Sequence, residues 1–147
     1  MRVLVVMLLA GCVEPIPPDN IGGPIIPTLC HQDTQCEAGE VCARNDGCWP
    51  PSEIREVHVT WTVGGMPANA TTCDAAPDLM IQFVATSPAT NPRLGYAPVP
   101  CAEGEFSIDK LPIAFTLVGL GPRGLDLQPA MPAMIDDAGD ASIDLMF

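Results

Sequence analysis

The sequence predicts an all-β protein: an antiparallel β-sandwich of six or seven strands, preceded by a small module stapled by disulfides. Three observations carry this. Residues 54–63, Ile-Arg-Glu-Val-His-Val-Thr-Trp-Thr-Val, alternate apolar and polar side chains with the period of two that a half-buried strand requires. Seventeen prolines and thirteen glycines run through the chain, and proline is accepted at strand edges and turns but not inside helices. Four cysteines, Cys30, Cys36, Cys42 and Cys48, stand with five residues between neighbours, in a segment too short to bury a core of its own.

The chain opens with one positive charge, Arg2, and an apolar run from Val3 to Ala10. A bilayer span needs about 20 apolar residues, so this run reads as the h-region of an export signal. It ends in Leu9-Ala10-Gly11-Cys12, which resembles the lipobox of bacterial lipoproteins. That resemblance implies removal of residues 1–11 and a diacylglycerol on the Cys12 thiol, with further acylation giving stable anchoring. Val13 is not the aspartate associated with inner-membrane retention, which favours an outer-membrane destination. Residues 12–29 then form the lipidated cysteine and a tether. Five prolines lie between Val13 and Leu29, which disfavours helix and strand and allows a semi-extended spacer of about 50 Å.

Residues 30–51 form the cysteine-rich module. The order Cys30, Asp33, Cys36, Gly39, Cys42 resembles the short Dickkopf-like repeats of myxobacterial and deltaproteobacterial lipoproteins. Four cysteines allow three connectivities; the interlaced pattern common in such modules pairs Cys30 with Cys42 and Cys36 with Cys48. A zinc site, with His31 as a further ligand, is the rival, but zinc sites use cysteines two to four residues apart. No Cys-x-x-Cys dithiol is present. Trp49, followed by Pro50 and Pro51, either packs on the next domain or offers an aromatic platform to a ligand.

Residues 54–147 supply the sandwich. In the first strand, Val57, Val59, Trp61 and Val63 face one side and His58, Thr60 and Thr62 the other. Leu79, Ile81 and Phe83 mark a second strand, and Phe106 and Ile108 a short third. Residues 113–120 form a wholly apolar central strand opened by Leu111-Pro112, and Gly121-Pro-Arg-Gly124 a turn. Residues 125–135, interrupted by Pro129 and Pro132, suit an edge strand. Asp136 to Asp140 is expected to close a hairpin, with Ile143, Leu145 and Phe147 pointing inward from the last strand. Cys73 and Cys101 remain and should pair. The segment resembles the prealbumin-like, or carboxypeptidase-regulatory-like, sandwiches of myxobacterial lipoproteins, through Val-Thr-Trp-Thr-Val, Thr72-Cys73, Cys101 with Gly104, Leu111-Pro112 and the terminal Ile-x-Leu-x-Phe. The resemblance implies no catalytic residues.

The formal net charge is −12, from 6 basic against 18 acidic residues. That excludes nucleic acid, whose phosphates demand clustered cations, and electrostatic adhesion to anionic lipid. Membrane attachment is expected through the lipid on Cys12 alone. Gly119-Leu-Gly121-Pro-Arg-Gly124 matches a dinucleotide fingerprint, but the prolines beyond it leave no room for the helix that must receive a pyrophosphate. No cofactor is expected. Asp136, Asp137 and Asp140 suit a polar turn better than a calcium site with its six to eight oxygens. A hydrolase needs a nucleophile, a base and its orienter, and the sequence does not assemble three. Residues 86–100 read as a long recognition loop closed by a disulfide, with Arg93 and Tyr96 as contact residues. The expected function is a non-catalytic envelope lipoprotein that binds or scaffolds an envelope protein or glycan. The alternatives are a surface carbohydrate-binding or adhesion module using Trp49 and the 86–100 loop, and a secreted hydrolase.

Overall fold

The computed structural model of the protein describes residues 29–86, 92–123 and 132–147. The tether and the apolar N-terminal run lie outside these residues. No helix among the described residues is long and apolar enough to cross a membrane.

The cysteine-rich module is a ribbon of two short antiparallel strands, β1 (Val41–Cys42) and β2 (Cys48–Trp49), behind one 3-10 turn, Asp33–Gln35. Its disulfides are interlaced, Cys30 to Cys42 and Cys36 to Cys48, with Cα atoms 5.7 and 5.5 Å apart. Both separations suit an undistorted bridge.

The period-two run becomes β3 (Ile54–Val63), the longest strand. Then follow β4 (Met66–Pro67), β5 (Asp78–Ala85), β6 (Arg93–Pro100), β7 (Glu105–Pro112), β8 (Phe115–Pro122), β9 (Ala133–Met134) and β10 (Asp140–Leu145). β3 lies inside the first sheet, with β10 along one side and β7 and β4 along the other. The second sheet runs β6-β5-β8-β9. Their inner faces share one core: Val57, Val59 and Trp61 from β3, Leu79, Ile81 and Phe83 from β5, and Val118 from β8, among others. Burial of each such side chain contributes about 1.5–3 kcal/mol. The Trp61 indole N–H donates to the Cys101 carbonyl at 2.8 Å, so its one polar atom is satisfied inside the core. Cys73 and Cys101 are paired and buried, tying the segment before β5 to the end of β6.

Two bulges shape the sheets. Between the Val57–Ile108 and Arg55–Leu111 pairs, β7 has two residues, Asp109 and Lys110, where β3 has one. Lys110 adopts a left-handed φ of 51°. A bulge re-aims side chains, and here it turns both residues to the module. Asp109 accepts from Arg44, at 2.8 Å from Nε and also from Nη2. The Lys110 ammonium lies 2.8 Å from both oxygens of Asp33, and its carbonyl accepts the Arg44 N–H. A second bulge places Ala97-Pro98 on the edge strand β6, where a missing N–H is tolerated.

Several expectations are corrected. Residues 93–100 are an edge strand rather than part of a recognition loop; 87–91 lie outside the described residues. Ile113 and Ala114 form the turn between β7 and β8, so the apolar strand starts at Phe115 and Leu111-Pro112 ends the strand before it. Gly121 and Pro122 belong to β8 rather than to the expected turn; Gly124 and residues 125–131 of the expected edge strand lie outside the described residues. Asp136 to Asp140 is not a hairpin. β9 belongs to one sheet and β10 to the other, so the segment crosses the sandwich and β10 joins β3 in parallel. Phe147 lies beyond the end of β10 and is half exposed, and Ile143 is only partly buried because β10 is an edge strand.

Candidate functional site

The sequence nominated Trp49, Arg93 and Tyr96 as contact residues, and the fold does not bring them together. The Trp49 indole N–H donates to Asn45 Oδ1 at 3.1 Å, with the ring against Gly47, so it is tied inside its own module. Arg93 reaches Gln82 on the neighbouring strand at 3.4 Å. Tyr96 turns its ring inward onto Phe106 and Phe83, with centroids 5.6 and 6.4 Å away. Burial pushes its phenol above the usual tyrosine range, with Arg44 opposing the shift.

The outer face of the first sheet is instead polar and continuous. Alternation on β3 puts His58, Thr60 and Thr62 outward, and the register sets each against a polar neighbour. His58 faces Ser107 on β7 and Asp140 on β10; Thr60 faces Glu105 and Ser142; Thr62 faces Asp144. The His58 N–H points to β10, donating to Gly139, while the Trp61 N–H points the other way, to Gly104. His58 and Ser107 are therefore a non-hydrogen-bonded pair, whose side chains lie close. The imidazole uses this: Nδ1 is 2.9 Å from Ser107 Oγ, and Nε2 is 3.8 Å from Glu105 Oε2.

Sequence reasoning missed this trio. The outward position of His58 was legible, and Glu105 and Ser107 share a face two residues apart. What brought them together was the register between β3 and β7. Chemically, a serine, an imidazole and a carboxylate in this order can move a proton off a hydroxyl. Their side chains are 41% exposed at His58 and 66% at Glu105, so water competes at every atom, and the imidazole–carboxylate distance exceeds that of a hydrogen bond.

Beside His58 lies an open cleft of about 510 Å³, lined by Thr60, Ser142, Asp140, Asp136 and Met134. Its rim is fixed by the crossing segment. Asp136 Oδ1 accepts the N–H groups of Ala138 and Asp140 at 3.0 and 2.8 Å. Gly139 has φ 94°, and its α-carbon lies so close to Glu56 that a Cβ would stand 2.3 Å from that residue's carbonyl oxygen. Arg55 clasps the segment by donating to the Asp136 and Phe115 carbonyls at 2.7 and 3.0 Å. At the far end of the sheet, Asp144 Oδ1 accepts from the Gly65 N–H at 2.8 Å and the Thr62 hydroxyl at 2.7 Å, which hold its carboxyl below the usual carboxylate range.

Among the described residues, the one group of three candidate metal ligands that converge within 4.8 Å is the sulfur atoms of Cys30, Cys36 and Cys48. All three are engaged in disulfides, which leaves no thiolate for a metal. The Asp136 carboxylate serves its own loop. No protein-family model, no curated protein and no solved structure matches the chain.

Proposed function

We propose that the chain is an exported bacterial lipoprotein, anchored by a lipid on Cys12, whose sandwich is a non-catalytic binding or scaffolding module of the cell envelope. The observation that carries this reading is the cysteine pairing. Cys30, Cys36, Cys42, Cys48, Cys73 and Cys101 are all in disulfides, and the seventh cysteine is the one that follows Leu9-Ala10-Gly11. Disulfides persist in oxidising compartments, and an odd cysteine in an exported protein calls for its own chemistry. Lipidation supplies it, with the outer membrane as the favoured destination. Binding, to an envelope protein or a glycan, is supported by the continuous polar face and its cleft, set on a rigid sheet.

The test is crosslinking in cells, with a photoreactive residue at Thr60 on the polar face or at Gln82 on the outer face of the other sheet. A discrete adduct from Thr60 and none from Gln82 is expected; no adduct from either position would count against a binding role. The adhesion alternative would use the partly exposed Trp49 and the 86–100 segment, which the fold does not join into one aromatic face among the described residues. The hydrolase alternative gains a specific observation, the Ser107–His58–Glu105 arrangement. Fluorophosphonate labelling of Ser107, abolished by His58→Gln, would establish it over the binding reading.

A further inference from the structure

We propose, resting on the binding reading above, that the edge of β10 and the cleft beside it form a strand-addition site for an extended peptide that alternates basic and apolar residues. The backbone geometry comes first. His58 N–H donates to the Gly139 carbonyl and Gly64 N–H to the Leu145 carbonyl, each at 2.9 Å. On a strand, alternate residues turn both backbone groups to the same side. Ala141, Ile143 and Leu145 therefore face β3, and Asp140, Ser142 and Asp144 face away. Asp140 is satisfied by Asp136, through its N–H at 2.8 Å and its carbonyl at 3.0 Å. The N–H and carbonyl groups of Ser142 and Asp144 are left without a strand partner among the described residues.

The edges of the second sheet and β4 are blunted, and β7 is engaged at one end. β6 carries Pro98 and Pro100, β4 and β9 have two residues each, and β7 gives its Lys110 carbonyl to the module. β7 and β10 both keep ladder groups toward solvent, and β10 is the one of the two that borders the cleft; strand addition is a recurrent mode of peptide capture.

The side chains set the occupant. A strand laid along β10 places its residues alternately in two rows. On the outer side it meets Asp140 and Asp144, with Asp136 on the cleft rim. On the inner side it meets half-buried Ile143; Met134, which is 75% exposed, lines the cleft from β9. The nearby cation, Arg55, is directed at two carbonyls rather than at these carboxylates. Lysine or arginine therefore suits one row and an aliphatic residue the other. A second copy of this edge does not fit, since its aspartates would oppose these.

The test titrates the full chain with a peptide alternating valine and lysine, and with one alternating valine and glutamate. The valine–lysine peptide should bind, more weakly at high salt, and the valine–glutamate peptide should not. Ser142→Pro removes an outward N–H without touching the β3 ladder; it should weaken binding about tenfold, with an unchanged thermal midpoint. Asp140→Asn, which leaves the backbone alone, should weaken binding at low salt only. Equal affinity in Ser142→Pro would overturn the proposal, because the peptide would then merely adhere to an acidic surface. No binding at all would overturn it too, leaving the charges as guards against edge-to-edge association. If a Thr60 crosslink to an envelope component persisted in that case, the binding reading would survive; if that were also lost, both would fall.

Discussion

Replacing both Cys73 and Cys101 with alanine tests how far the sandwich depends on its own bridge. The two cysteines are 28 positions apart, whereas each bridge of the module spans 12. The chain-entropy treatment then gives about 3.5 kcal/mol for closing the longer loop and about 3 kcal/mol for each shorter one. The longer bridge also sits in the core, beside the carbonyl that receives the Trp61 indole. For a domain of this size, a loss of about 3.5 kcal/mol lowers the melting temperature by roughly 15–25 °C. Urea unfolding and calorimetry of the double variant measure the shift. A Cys36→Ala/Cys48→Ala variant is the control, because it loosens the module while leaving the sandwich core intact. A loss of less than about 1 kcal/mol in the Cys73/Cys101 variant, well under the roughly 2–5 kcal/mol typical of removing a native bridge, would refute this, as would a control that lowers the sandwich transition by as much.

Gly139→Ala forces a Cβ against the Glu56 carbonyl at a φ of 94°; a loss of about 2 kcal/mol or more in urea unfolding is expected. Asp33 and Asp144 both titrate below the ordinary value of 3.8, Asp33 chiefly through Lys110 and Asp144 chiefly through the Gly65 N–H. A depressed folded pKa contributes stability that is complete above the unfolded value and is lost as pH falls through the folded one. The thermal midpoint should therefore drop on acidification below about pH 4, and Asp144→Asn should flatten that limb; an unchanged slope would contradict it. Lys110→Met together with Arg44→Met removes both ion pairs between module and sandwich. Exposed pairs of this kind contribute little to global stability, so the effect should be local: hydrogen exchange should rise at the amides of the module while the amides of β5 stay protected.

Much of the fold was legible because periodicity reports burial directly. The β3 run named its inward residues correctly, and Leu79, Ile81 and Phe83 did the same for β5. Cysteine parity set Cys73 against Cys101, while for the module the sequence left three pairings open and the resemblance favoured the interlaced one that the structure has. The errors share one cause, which is that pairing is non-local. Nothing between Asp136 and Asp140 distinguishes a hairpin from a crossing between sheets, since both need the same turn chemistry. Pro98 and Pro100 made 93–100 read as loop, although an edge strand tolerates them. The polar face was half visible: alternation put His58 outward, but only the register with β7 and β10 set Ser107, Glu105 and Asp140 around it. Tyr96 failed as a surface candidate because a large amphipathic ring is also good filling for the open side of a sandwich.

The proposed lipid anchor on Cys12 accounts for the seventh cysteine, the other six being paired. The most direct measurement is the intact mass of the unreduced protein extracted from membranes, after treatment with a thiol-alkylating reagent. The predicted result is a chain that begins at Cys12, carries the mass of a diacylglycerol and its acyl chain, and takes up no alkylating group. A Cys12→Ser form should lose that added mass and leave the membrane fraction. A chain that keeps residues 1–11 with an alkylated Cys12, or a Cys12→Ser form that stays membrane-bound at the same mass offset, would contradict it.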